Sequence, residues 1–235
     1  VYHATPRGAG GESTPAAKVP GGSGDAQLLE RLRQSGMSAV SPINLKCHSV
    51  AVGLMLQALN PDVSVSMYEE RLTAGNALKI FGDYDVVIDG VDNFPAKFLI
   101  NDACFFAGKP LVHGGILRFE GRVTTIIPGK SACYRCIFKA PPPPGLVASC
   151  QEAGVIGVLA GIIGTIQATE ALKLVLGIGR PLTDRLLDFD ARKTQFREII
   201  VRRNPNCALC GEHPTITELF DDGDPYAGCA MRPSA

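Results

Sequence analysis

Two pairs of cysteines carry the clearest chemistry in this 235-residue chain: Cys133 and Cys136 in CYRC, and Cys207 and Cys210 in CALC. A two-residue spacer lets both thiolates of a pair meet one ion, and two such knuckles supply the four sulfurs that tetrahedral zinc prefers. Four thiolates close the coordination shell, so the pattern predicts a structural zinc with no position left open for water. A redox CxxC is the other use of this spacing, but it belongs in a thioredoxin-like βαβ setting that the flanking residues lack. Cys47, Cys104 and Cys229 sit in no such motif and read as core or surface thiols.

A second candidate lies in YDVVIDGVDNFPAKFLINDAC, residues 84–104. Val86-Val87-Ile88 is a short β-branched run that suits a strand buried on both faces of a parallel sheet. Asp89 to Asn93 break the run, and Pro95 opens a helical stretch with Phe98, Leu99 and Asp102 at helical spacing. Strand, acidic turn, helix is the arrangement in which open α/β sheets collect ligands at their carboxyl edge. Asp92 and Asn93 therefore have two readings, as helix caps or as ligand-binding groups.

Stepping outward, the flanking segments alternate in the manner of an α/β domain. A helix is expected over Val50–Leu59, a strand over Val63–Met67 and a helix over Thr73–Ile80. After the helix Phe94–Ala107, strands are expected at Pro110–Val112, Gly121–Ile127, Arg185–Asp190 and Thr194–Val201. Ala153–Thr169 is a charge-free run rich in glycine; it falls short of the roughly 20 apolar residues of a membrane span, so it reads as a closely packed helix or a subunit interface. Pro141–Pro144 must be extended, because proline lacks a backbone donor and restricts the residue before it. Residues 214–235 carry no strong pattern and read as a tail; the loosely calcium-loop-like Asp221-Asp222-Gly223-Asp224 lacks the rest of that motif.

Lys+Arg and Asp+Glu are 23 each, so bulk charge gives no reason to expect nucleic-acid binding. No basic-then-apolar leader opens the chain, which predicts a cytoplasmic protein that is not inserted in a membrane. Residues 1–49 are Gly/Pro/Ser-rich and read as a degenerate or disordered segment, with the ordered domain expected over 50–213. Within them, Gly8-Ala9-Gly10-Gly11 has the look of a loop whose N–H groups could approach a phosphate. No apolar strand precedes it, however, so a chance glycine cluster in an unfolded segment is an equal reading.

From Leu56 to Cys210 the chain resembles the ThiF/MoeB/HesA family, relatives of the ubiquitin-activating enzymes. The phrases that carry the likeness are LQALNPDVSV, YDVVIDGVDNFPAKFLINDAC, GKPLVHGGILRFEGRVTTIIPG, CYRCIF, PPPPGLVASCQEAGVIGVLAGIIGTIQATEALKL and CALCG, in family order. The resemblance implies an α/β fold: a Rossmann-like, mostly parallel sheet with helices on both faces, an antiparallel extension and a four-cysteine zinc site. It implies an adenylyltransferase that uses ATP and Mg²⁺ to activate the C-terminal glycine of a ubiquitin-like sulfur-carrier protein, of the molybdopterin or thiamine type. Asp92 then sits at the reaction centre, with Gly8, Gly10, Gly11, Lys46 and Asn93 toward the nucleotide. Cys150 matches a loop cysteine that takes the activated acyl group in some relatives and is unreactive in others. A homodimer is implied. So is a separate sulfur donor, since no rhodanese-like stretch follows Cys210. Glu12 and Ser13 stand where the family has Leu and Gly, and Cys47 where it has Arg. These departures give a second reading, a zinc-containing carrier-binding subunit that has lost ATP binding.

Overall fold

The computed structural model describes residues 39–40, 55–68, 70–142 and 154–221. Its sheet has six strands in the order β1 to β6: β1 (Ala39–Val40), β2 (Val86–Asp89), β3 (Leu111–Leu117), β4 (Glu120–Ile126), β5 (Arg185–Asp190) and β6 (Gln195–Ile200). Around it lie α1 (Ala74–Gly82), α2 (Phe94–Ala107), the short α3 (Tyr134–Ile137) and α4 (Gly157–Leu176).

The apolar run Val86-Val87-Ile88 forms the strand it predicts, and β1, β2 and β3 pair in parallel. The sheet is mixed, and the expected antiparallel extension makes up its second half. Among the described residues the β3–β4, β4–β5 and β5–β6 pairs are antiparallel, against two parallel pairs. The cause is loop length. Only Arg118 and Phe119 separate β3 from β4, and a parallel return needs a crossover of a dozen residues or more. Arg118 takes the turn at φ 53°.

Successive residues of the strands face opposite layers. Val87, Leu111 and Ile126 pack with α1, α2 and the cysteine knuckles, while Val86, Val112 and Val123 pack with Leu159 and Ile163 of α4. Helices thus cover both faces. α4 has the length and composition of a membrane span, but its inner side carries polar anchors. Gln167 donates to the backbone oxygens of Asp89 and Val112, and Glu170 accepts from Thr125 Oγ1 and Leu182 N–H.

Other expectations shift at their ends. The helical stretch before Asn60 is described at 55–59, and Val63–Met67 shows one bridge position instead of a strand. β3 runs five residues past Val112. Residues 214–221 lie against the core, with Ile216 and Leu219 packed on the α1–α2 cluster. Ala74 N–H bonds Asp221 Oδ1 at 3.0 Å, so this part of the expected tail is docked.

Candidate functional site

Four cysteine sulfurs converge where α3 meets the loop at 207–210, all within 4.8 Å of one another. The Sγ–Sγ distances are 3.8 Å for Cys133–Cys136, 3.6 Å for Cys133–Cys207 and 3.4 Å for Cys136–Cys210. Metal–sulfur bonds of about 2.3 Å in a tetrahedron put the sulfurs about 3.8 Å apart, whereas a disulfide needs about 2.05 Å. The donor set therefore fits a tetrahedral metal ion. Local backbone supports it: Asn204 N–H points at Cys136 Sγ (3.4 Å), and Arg203 donates through Nε to the Cys210 carbonyl (3.1 Å).

The second site is the turn between β2 and α2. The two readings of Asp92 and Asn93 separate here. Asn93 is the cap: its Oδ1 accepts the Ala96 N–H at 2.9 Å. Asp92 is exposed, and its carboxylate meets Asn93 Nδ2 only at 3.4 Å. An exposed carboxylate at the carboxyl edge of parallel strands, beside a helix N-terminus, can serve a cation or a phosphate-bearing ligand's metal.

The turn is held from below by groups that sequence reasoning passed over. Asp89, fully buried at the end of β2, accepts the Val91 N–H (2.9 Å) on Oδ1. Its Oδ2 accepts from Lys97 Nζ (3.1 Å) and lies 2.6 Å from His113 Nδ1. Burial alone pushes the Asp89 carboxyl up, but Lys97, the His113 hydrogen bond and the Val91 N–H outweigh it and hold it below the ordinary carboxylate range. Burial, then Lys97, pushes His113 below the usual histidine range, so its ring is neutral and Nδ1–H donates to the carboxylate. Lys97 also reaches the Gly114 carbonyl at 2.7 Å, tying α2 to β3. Gln167 lies against Gly114, where an added Cβ would come within 2.4 Å of its side-chain amide and push it off the Asp89 and Val112 carbonyls.

The two sites share α2. Asn101 Oδ1 accepts the Tyr134 N–H (2.9 Å), and Asp102 takes a bidentate grip from Arg135 at 2.6–3.0 Å, both side chains buried. The Tyr134 ring packs on Phe98 (5.0 Å) and on the His113 ring (4.6 Å). The available signals were weak ones: an Asp ending an apolar strand, a Lys one helical interval past the turn, and an Arg inside a cysteine knuckle. Cys104 is buried and its thiol is pushed well up, first by burial, which makes it inert. Gly8, Gly10, Gly11, Lys46 and Cys150, like Cys47 and Cys229, lie outside the described residues.

Comparison with known proteins agrees with the resemblance. The model described as "ThiF family" matches residues 43–209. The chain is 53% identical over 171 residues to the sulfur carrier protein adenylyltransferase of Thermus thermophilus, covering 71% of this chain and 63% of that protein. It is 46% identical over 176 residues to the SAMP-activating enzyme E1 of Haloferax volcanii, covering 75% and 64%. With the adenylyltransferase and sulfurtransferase MOCS3 of Drosophila grimshawi it shares 40% over 226 residues, 91% of this chain and 50% of the other. The chain thus spans less than two thirds of the length of each of these relatives. Among solved structures, E. coli MccB superposes with a TM-score of 0.59 at 14% identity over 79% of this chain and 62% of that one, a likeness of fold.

Proposed function

The chain belongs to the ThiF family, and on that footing we propose that it is an ATP-dependent adenylyltransferase acting on the C-terminal glycine of a ubiquitin-like sulfur-carrier protein. The observation that supports this most is Asp92: its neighbour Asn93 does the capping, which leaves the carboxylate exposed at the ligand edge of the sheet. In the proposed reaction the carrier's terminal carboxylate attacks the α-phosphorus of ATP. The bond between the α-phosphorus and the bridging oxygen breaks, pyrophosphate leaves, and an acyl-adenylate forms. The attacking carboxylate has no proton to lose, so the step needs positioning and charge stabilisation more than a general base. That agrees with a site whose histidine is neutral and tied to Asp89.

Asp92 would hold Mg²⁺, which gathers phosphate charge as the bond breaks. Cys133, Cys136, Cys207 and Cys210 would hold a structural Zn²⁺, supported by their number and spacing. The outward side of α4, with Val158 67% exposed beside the small residues Gly157 and Gly161, is proposed as the homodimer face. Sulfur would come from a separate donor. The specific pathway, molybdopterin or thiamine, follows the carrier.

ATP–pyrophosphate exchange in the presence of purified carrier candidates tests the reading. Exchange should depend on the carrier, and Asp92→Ala should reduce it by about 10²–10³-fold with the melting temperature unchanged. Equal exchange by Asp92→Ala would overturn the assignment of that residue. Carrier binding with no exchange would favour the non-catalytic partner subunit instead.

A further inference from the structure

The cysteine cluster and the Asp92 turn do not touch, yet two chains of contacts join them. One runs along α2. Its N-terminus carries the Asn93 cap, and two turns on, Asn101 and Asp102 grip the backbone of Tyr134 and the guanidinium of Arg135, the two residues between Cys133 and Cys136. The other runs through rings: Tyr134 lies 4.6 Å from His113, His113 Nδ1 donates to Asp89 Oδ2 at 2.6 Å, and Asp89 Oδ1 holds the Val91 N–H at 2.9 Å. Every side chain named in the second chain is buried, so none can shift without moving its neighbour.

We propose that Tyr134 and His113 are positioning residues, through which the metal held by the cysteines and the conformation of the Asp92 turn form one cooperative unit. The metal fixes Cys133 and Cys136, and with them the Tyr134 ring. The ring sets the His113 plane, and His113 orients the carboxylate that shapes the turn. Such coupling is reciprocal: if the metal orders the turn, a change at the turn must weaken the metal. Calling the turn a reaction centre rests on the adenylation reading. The readouts chosen here do not, so a failed exchange assay and a failed coupling can be told apart.

Amide exchange by NMR on the full chain, zinc-loaded and after chelation, is the direct measurement. Removing zinc should speed exchange of the Val91 and Ala96 amides about tenfold or more, while amides of the β5–β6 hairpin stay protected. Unchanged protection at Val91 and Ala96 would overturn the proposal. If chelation unfolds the whole chain, the zinc-loaded variants decide. Tyr134→Leu should release Val91 with the cysteines still loaded, and Tyr134→Phe, which keeps the ring, should behave as the parent. Protection at Val91 retained in a folded Tyr134→Leu would overturn it. Asp89→Asn, outside the four-cysteine cluster, should lower zinc affinity about tenfold in competition with a chelator. An unaltered affinity in folded Asp89→Asn would overturn it as well.

Discussion

Arg135–Asp102 and Arg185–Glu198 are two arginine–carboxylate pairs in opposite halves of the molecule. Their shortest contacts are 2.6 and 2.9 Å; Arg135 grips Asp102 through Nε and Nη2, and Arg185 meets both Glu198 oxygens through Nη1 alone. The first lies between α2 and the cysteine knuckle with both partners at about 6% exposure or less; in the second, Glu198 stands half exposed on the edge strand β6. The surroundings differ in the same way. The half around β2 and α2 buries Asp89, Lys97, Asn101, Asp102, His113 and Arg135, each with a partner. The hairpin β5–β6 turns all six residues of its outer strand to solvent. Burial therefore sets the consequence, because removing a partner from a buried pair costs far more than removing one from an exposed pair. The candidate chemistry sits in the half whose buried polar groups, among the described residues, are committed to partners.

The severest way to test that contrast is to open the cysteine cluster. Structural zinc contributes apparent binding free energies of about 10–16 kcal/mol to folding in small metal domains, comparable with a typical domain's whole stability. Cys133→Ser or Cys210→Ser should lose the metal by elemental analysis and abolish a cooperative melting transition for the α2 half. An unchanged melting curve in a metal-free variant would remove the metal from this account. Next comes Asp102→Asn, which keeps the shape but removes the buried carboxylate charge that Arg135 grips through Nε and Nη2. It should cost about 3–5 kcal/mol in denaturant unfolding. A cost under about 1 kcal/mol would place the pair with the exposed ones and break the comparison.

Acid should distinguish the halves too, more gently. The folded-state values of His113 and Asp89 both lie below their ordinary values. For each, the unfolded chain binds the proton more readily, so stability rises with pH. The His113 contribution is complete above about pH 6.5, its ordinary value, and declines below it. The Asp89 contribution holds down to about pH 3.8 and is lost below. Melting temperature should therefore start to fall as pH drops past 6.5, and His113→Asn should flatten that first step. A step of the same size in His113→Asn would assign it to another group.

How much of this was legible beforehand follows from the range over which each signal acts. The cysteine knuckles and the helix start at Asn93-Phe94-Pro95 are local patterns, written within a few residues, and the structure has them where the spacing puts them. β2 is local as well, a β-branched run too apolar for any place but the centre of a sheet. The buried network is not local. Asp89 meets Lys97 eight residues on and His113 twenty-four residues on, and Arg135 meets Asp102 across thirty-three. Such pairs follow from the packing of α2 on the sheet and leave no periodic trace. The antiparallel half was underestimated for a similar reason: pairing direction is set by turn length, and the Arg118-Phe119 turn has no glycine to announce it.

The mildest test is on the exposed side, where the comparison predicts almost nothing. In Glu198→Gln the carboxylate loses its charge, yet Arg185 keeps the Pro181 carbonyl at 2.9 Å and stays near that of Arg180. The Arg185 charge is not stranded, because those carbonyls remain and its side chain, 17% exposed, still reaches water. The cost should be about 0.2–1 kcal/mol in denaturant unfolding. It should also shrink in about 1 M salt, where the Debye length is about 3 Å and exposed charges are screened. The loss in Asp102→Asn should keep its size in the same salt, since water and ions do not reach that pair. A Glu198→Gln cost above about 2 kcal/mol, or one indifferent to salt, would mean that the hairpin is buried in the working protein. β6 would then have to be read as an interface, and the division between a committed half and an open half would fail at its outer strand.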